Sequence, residues 1–191
     1  MMTKAYFRDM YKKKRFALDS EQLEAYQIAL LQQLAQLDWK SKTYVHTFLP
    51  ILKQREPDTW RFIRYLQEMY PMLNVVISRS DPKDASMQHV LLREDIQFVE
   101  NSWGILEPTG GQDVDESLLD VVLVPLLVAD RQGNRVGYGK GFYDRFLVKC
   151  RTDCCKIGVS FFSPVDQIAD IDTLDVRLDM LITPSEIYRF I

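Results

Sequence analysis

Three glycines, at 137, 139 and 141, alternate with Tyr138 and Lys140 inside the stretch DRQGNRVGYGKGFYDRFL, residues 130–147. Glycine permits backbone dihedrals that a side chain forbids, and it lets another molecule approach the main chain closely. Consecutive N–H groups in such a turn can form a concave anion site, and the N-terminus of a following helix adds partial positive charge. Lys140 adds a full charge. Asp144, one turn into the helix-like FYDRFLVKC, offers a carboxylate that could hold a metal. Phosphate, cation and metal handles this close together suggest nucleotide chemistry. The same residues also fit an ordinary turn, because Asp-x-x-Gly-Asn after a strand is a common turn signal. The segment is not a Walker loop, since Gly139-Lys140 is followed by Gly141, and it lacks the dinucleotide fingerprint's spacing between its last two glycines.

Other chemistry-bearing residues lie at a distance in sequence. Lys4, Arg8 and Lys12 follow one another at i, i+4 spacing, with Arg15 on nearly the same helix face. That face reads either as a solvated basic surface or as a clamp on a polyphosphate, where Arg donates paired hydrogen bonds and Lys acts as a point charge. Glu56 sits in a loop just before a helix. A loop carboxylate is ordinarily solvated; the alternative role is to accept hydrogen bonds from a substrate's ring nitrogens. Asp172, Asp175 and Asp179 precede an apolar strand as turn formers or caps, and one of them could join Asp144 on magnesium, which takes few carboxylates alongside phosphates and waters. His46 and His89 stand isolated in apolar, strand-like settings and read as structural.

These residues need elements to position them. Thr3–Leu18 and Ser20–Leu37 read as helices with Asp19-Ser20 as the cap between them. Thr43–Leu49 reads as a strand stopped by Pro50, and Asp58 caps a helix to about Tyr70 with Trp60, Ile63, Tyr65 and Leu66 on one buried face. Leu73–Ser78 and Gln88–Leu92 read as strands, Trp103–Pro108 as an extended segment, and Thr109–Gln112 as loop. Leu119–Ala129 reads as the most buried strand, followed by Lys156–Phe161 and, last, Met180–Thr183. Strands alternating with helices indicate an α/β layered domain with a largely parallel sheet. Ligands gather beyond the carboxyl ends of such strands, and the glycine-rich turn is expected directly after the central one.

Composition narrows the function classes. A chain of 191 residues with 47% hydrophobic content fits one domain with a substantial core and argues against disorder. The net charge of −3 gives no global attraction to nucleic acid. The apolar run Leu118–Ala129 is interrupted by Asp120 and is too short to span a bilayer, and charges from Lys4 onward leave no signal-peptide core. Cys150, Cys154 and Cys155 form no disulfide framework and have no matching His pattern for zinc, so a reducing cytoplasm is expected.

Taken in order along nearly the whole chain, these residues resemble the 5-formyltetrahydrofolate cyclo-ligase family, also called 5,10-methenyltetrahydrofolate synthetases. Lys4 and Arg8 fit its Lys-x-x-x-Arg helix start, with Arg15 following. Phe48, Pro50, Glu56 and Thr59 fit an aromatic-x-Pro element before Glu-x-x-Thr. Arg79 and Met87 fit a strand-end Arg and a later Met, and Trp103-Gly104-Ile105-Leu106-Glu107-Pro108 resembles a Gly-Ile-x-Glu-Pro element. The strongest match runs through Pro125, Asp130, Gly133, Arg135, Gly137, Gly139, Gly141, Phe142, Tyr143, Asp144 and Arg145, and Asp175, Asp179 and Thr183 complete it. Two positions depart from the family pattern: Leu126 stands where a glycine is usual, and Phe142 where the first of two tyrosines is usual.

The resemblance implies a single-domain layered α/β sandwich over residues 1–191, Rossmann-like, acting as a cytoplasmic monomer without nucleic-acid or membrane partners. It implies ATP-dependent conversion of 5-formyltetrahydrofolate to 5,10-methenyltetrahydrofolate with ATP as co-substrate and Mg²⁺ as cofactor. Lys4, Arg8, Arg135, Gly137, Tyr138, Gly139, Lys140, Gly141 and Tyr143 would bind ATP. Glu56, Tyr138, Gly139, Lys140, Gly141 and Phe142 would bind the folate, Lys140, Arg135 and Glu56 would be catalytic, and Asp144 and Asp179 would hold the metal. The competing readings are a non-catalytic nucleotide- or sugar-phosphate-binding module and an RNA-binding protein using the basic first helix; the negative net charge and the lack of an aromatic RNA-binding motif oppose the latter. Losing one charged contact in a desolvated site costs about 2.7–4 kcal/mol of barrier, or roughly 10²–10³ in rate. Lys140→Ala is therefore expected to lose turnover by about that factor while melting like the parent; near-normal turnover removes Lys140 from the catalytic set.

Overall fold

The computed structural model describes residues 2–81, 83–101 and 104–190. Trp103, part of the extended segment expected above, lies outside the described residues. Helix α1 (Lys4–Ala17) starts at Thr3, whose hydroxyl accepts the Tyr6 N–H, and it buries Phe7, Tyr11 and Arg15 at i, i+4 and i+8. Asp19 caps α2 (Ser20–Leu34) in a reciprocal box with Gln22. This helix ends three residues before the expected Leu37: the Gln36 and Leu37 N–H groups bond three residues back, to Gln33 and Leu34, tightening the last turn.

The described strands form one seven-stranded sheet and two small ribbons. In the sheet the order is β11 (Ile187–Arg189), β10 (Met180–Ile182), β9 (Cys155–Val159), β6 (Val121–Pro125), β1 (Tyr44–His46), β2 (Asn74–Asp81) and β3 (Ser86–Leu91). β1 pairs in parallel with both β2 and β6, and β10 with β9, whereas β3 and β11 are antiparallel to their neighbours. The class is thus α/β with a mostly parallel sheet, as expected, with an antiparallel strand closing each edge. The ribbons are β4 (Gln97–Glu100) with β5 (Leu106–Thr109), and β7 (Val128–Ala129) with β8 (Arg135–Val136). β4 and β11 were not foreseen, and Thr109, expected in a loop, closes β5.

The chain divides into two compact units, each assembled from separated segments. The first comprises residues 1–37, 124–140 and 156–191. Here the expected single strand Leu119–Ala129 is two strands. β6 ends at Pro125, which has no N–H to continue a ladder. Leu127 N–H then bonds Val136 O, and β7 turns back on β8. The glycine-rich segment therefore follows a hairpin rather than the central strand itself. The hairpin turn is built on Asp130, fully buried, whose carboxylate accepts from Gln132 N, Asn134 N, Asn134 Nδ2 and Ile168 N. Phe7 and Tyr11 pack on Leu127, Val128, Val136 and Ile168 in this unit's core.

The second unit comprises residues 38–123 and 141–155. Its helix α3 (Thr59–Met69) starts at Asp58 and buries Phe62, Ile63 and Leu66, close to the expected face; α4 (Phe142–Leu147) is short. Neighbouring strands bring His46 and His89 together, so the two are not isolated. Ser78 Oγ lies 2.7 Å from His46 Nε2 and 2.9 Å from His89 Nδ1, and both rings pack on Phe146 of α4. Burial pushes the His46 pKa well below the usual imidazole range, with His89 adding to it. Burial pushes His89 down to about 4, against the opposing pull of Glu116.

Both imidazoles are held neutral in the fold, so between pH 6.5 and about 4 the unfolded chain binds more protons than the folded one. Stability is expected to fall as pH drops through that window, by on the order of 3 kcal/mol from His89 alone. Urea unfolding at successive pH values checks this: His89→Gln flattens the slope, and a parent and variant with equal slopes contradict it.

Candidate functional site

In the first unit, α1 delivers its cations to the glycine-rich segment and to the acidic loop near the C-terminus. Lys4 Nζ pairs with the Asp175 carboxylate, which also accepts the Asp172 N–H, and the Lys4 N–H bonds Asp170. One turn on, Arg8 Nε donates to Gly137 O at 2.9 Å. Lys12 Nζ stands 5.3 Å from the Tyr138 ring centroid. Arg15, almost wholly buried, donates to the Tyr138 hydroxyl and to Leu126 O. The ladder is therefore no solvated surface; each of its four members has a partner within this unit.

Gly139 shows why this contact needs glycine. Its φ is +86°, and a Cβ there would stand 3.1 Å from Arg8 Nη2. The guanidinium lies against bare backbone, and a side chain there would be strained by the positive φ and would crowd it. Gly139 and Lys140 are exposed, while Gly137 and Tyr138 are half-buried. Arg135, expected on phosphates, directs Nη1 to Val176 O. Asp179 accepts from Lys156 N–H at 2.7 Å and from Lys156 Nζ at 2.9 Å.

The second unit carries the remaining expected residues. Glu56 is 4% exposed and accepts the Ile51 N–H at 2.7 Å, so the ordinary expectation of a solvated loop carboxylate fails. Buried Pro50 and Pro57 and the hydrogen bond from Thr59 Oγ1 to Phe48 O tie the same loop together. The Phe48, Pro50, Glu56 and Thr59 pattern is thus one folded loop. Gly141, in the left-handed region at φ +73°, starts α4 and presents Phe142, Tyr143 and Asp144, all half-buried, in its first turn. Tyr143 packs against His46 and Phe146 at centroid distances of 6.1 and 5.9 Å.

Among the described residues no group of three or more His, Cys, Asp or Glu side chains is placed to hold a metal ion. Asp144, expected on the metal, is half-buried. No helix among the described residues is long and apolar enough to cross a membrane. Sequence reasoning left out three features of the structure: the buried carboxylate of Asp130, the Ser78 bridge, and the depth of Arg15. The spacing of Arg15 from the apolar Phe7 and Tyr11, at i, i+4 and i+8, is the signal for the last.

The class is an α/β protein whose first helix sets its cations on a glycine-rich loop. The chain belongs to the 5-formyltetrahydrofolate cyclo-ligase family, which it matches over residues 1–184. It is 31% identical over 103 residues to a probable 5-formyltetrahydrofolate cyclo-ligase of Schizosaccharomyces pombe, covering 47% of this chain and 50% of that one. It is 32% identical over 94 residues to the Mycoplasma pneumoniae 5-formyltetrahydrofolate cyclo-ligase, covering 49% and 51%. The chain thus spans about half the length of these curated relatives in alignment. Its fold superposes on a 5,10-methenyltetrahydrofolate synthetase from Aquifex aeolicus with a TM-score of 0.83 at 24% identity, over 98% of this chain and 93% of that one. The Mycoplasma pneumoniae 5,10-methenyltetrahydrofolate synthetase superposes with a TM-score of 0.74 at 21% identity, over 95% and 98%. At these identities the likeness establishes the fold.

Gly139→Ala is expected to strain the left-handed backbone by about 1–2 kcal/mol and to shift the Arg8 guanidinium by a few tenths of an ångström. Calorimetric titration with a nucleoside triphosphate should show affinity falling by about tenfold, a change worth about 1.4 kcal/mol, with a lowered melting temperature. Unchanged affinity would separate Arg8 and Gly139 from the anion site.

Proposed function

We propose that this chain catalyses the ATP-dependent cyclisation of 5-formyltetrahydrofolate to 5,10-methenyltetrahydrofolate, releasing ADP and phosphate. The observation that carries the reading is the family match over residues 1–184 joined to the contact of Arg8 and Arg15 with the glycine-rich loop that the family pattern marks most strongly. The formyl group on N5 is amide-like and a poor electrophile. Its oxygen attacks the γ-phosphorus of ATP, the bond to the ADP oxygen breaks, and ADP leaves. N10 then attacks the activated formyl carbon, the carbon–oxygen bond breaks, phosphate departs with the electron pair, and the N10 proton is lost to solvent. The protein's part is positioning and charge neutralisation.

In this reading Lys4, Arg8, Arg135 and Lys140 hold the phosphates, with the backbone of Gly137, Tyr138, Gly139 and Gly141 beside them and Tyr143 on the nucleotide. Lys140 also neutralises the transferred phosphoryl group. Glu56 orients the pterin, and Tyr138, Gly139, Lys140, Gly141 and Phe142 line the folate. Asp144 and Asp179 are the carboxylates for magnesium, which when bound neutralises phosphate charge. Asp179 enters with one oxygen engaged by Lys156. The chain acts as one cyclo-ligase domain and as a monomer, in the cytoplasm. Leu126 and Phe142 remove no charged group from the family pattern, so activity survives both departures.

Absorbance of methenyltetrahydrofolate, formed from 5-formyltetrahydrofolate with and without ATP and magnesium, tests the proposal. Product that requires both is the expected result. A folded chain that binds ATP but makes no product points to a nucleotide-binding module instead.

A further inference from the structure

Arg15 is 1% exposed, on the buried face of α1. Its Nη1 donates to the Tyr138 hydroxyl at 2.9 Å and its Nη2 to Leu126 O at 2.7 Å, while its Nε is buried without a hydrogen-bond partner. Both acceptors are neutral. Lys4 on the same helix meets the Asp175 carboxylate, whereas Arg15 has no carboxylate partner among the described residues. A guanidinium keeps its charge at any physiological pH, and burying it without a counter-charge is costly. A fold tolerates such a charge most readily where the missing anion arrives with a ligand.

The route from Arg15 to the exposed loop is Tyr138. An oxygen that accepts from a guanidinium becomes a stronger O–H donor, because hydrogen bonds in a chain polarise one another. The loop is held on either side of this residue by Arg8, through Gly137 O and against the bare backbone of Gly139. Lys12 stands over the tyrosine ring. Three cations of one helix thus fix one three-residue stretch, and only Arg15 among them is fully withdrawn from water.

We propose that Arg15 is a positioning residue for the nucleotide's phosphates. Acting through Tyr138, it fixes the loop 137–139 and supplies a buried positive charge that the bound phosphate chain compensates. The proposal rests on the nucleotide-binding half of the function proposed above.

The test is calorimetric binding of a non-hydrolysable ATP analogue to the full chain, with melting curves and separate KM values for ATP and 5-formyltetrahydrofolate. Arg15→Met is expected to weaken the analogue about tenfold or more, with a shallower salt dependence than the parent. Arg15→Lys, which keeps the charge and loses the fork, recovers part of that loss, and in both variants the KM for ATP rises several-fold more than the KM for 5-formyltetrahydrofolate, which meets the same loop but carries no phosphate. Tyr138→Phe weakens the analogue and makes Arg15→Met nearly silent in the double variant. Parent-like binding by Arg15→Met overturns the proposal, as does an equal loss in both KM values that tracks the melting temperature. Should Arg15→Met fail to fold, Tyr138→Phe decides: unchanged analogue affinity overturns it. Binding does not depend on turnover, so the two readings separate. Arg15-dependent binding without product sinks the cyclo-ligase reading alone, product with Arg15-independent binding sinks this one alone, and a parent chain that binds no analogue sinks both.

Discussion

The buried carboxylate of Asp130 is the constraint on which the first unit depends. A fully buried anion is tolerable only when donors surround it, and four N–H groups do so, three from its own turn and one from Ile168. Those bonds fix the β7–β8 hairpin and dock the segment around Ile168 in one stroke. Gly133, inside the same turn at φ +82°, lies so close to the Leu178 carbonyl that a Cβ would stand 2.7 Å from its oxygen. The glycine-rich segment follows this hairpin in the chain, and Asp170, Asp172 and Asp175 follow Ile168; helix α1 bonds both, through Arg8 and Lys4.

From that anchor follows a graded treatment of charge along α1. Lys4 pairs with a carboxylate at the half-buried end of the helix, Arg8 bonds a carbonyl, and Arg15 is withdrawn fully with neutral acceptors. Lys4 and Arg8 are about one helical turn apart and Arg8 and Arg15 about two, so successive turns of one helix meet the acidic loop, Gly137 and then Tyr138 with Leu126. The second unit solves its polar burial differently. His46 and His89 are kept neutral by desolvation and share one hydroxyl, so no counter-charge is needed.

Much of the fold was legible because local rules and global outcome agree. Thr3, Asp19 and Asp58 cap where capping residues should, and β1, β2, β3, β9 and β10 lie within a few residues of their expected places. The failures have physical causes. Residues 121–129 carry no charged or polar side chain, and no periodicity in them marks the turn of direction at Pro125. β11 is three residues long and takes its identity from pairing with β10. A loop carboxylate is ordinarily solvated; Glu56 is instead buried and accepts the Ile51 N–H, in a loop whose Pro50 and Pro57 are also buried.

Residue types and spacing by themselves determined the α/β class, the family, the glycine-rich element and the i, i+4 run of cations. These are local patterns, set by helix and strand periods and by the dihedral freedom of glycine. Only tertiary structure decided which cation is buried, which carbonyl it bonds, and that two histidines 43 positions apart in sequence share Ser78. Burial and partnership depend on which strands become neighbours, and sheet order is settled by packing across the whole chain rather than by any stretch of it.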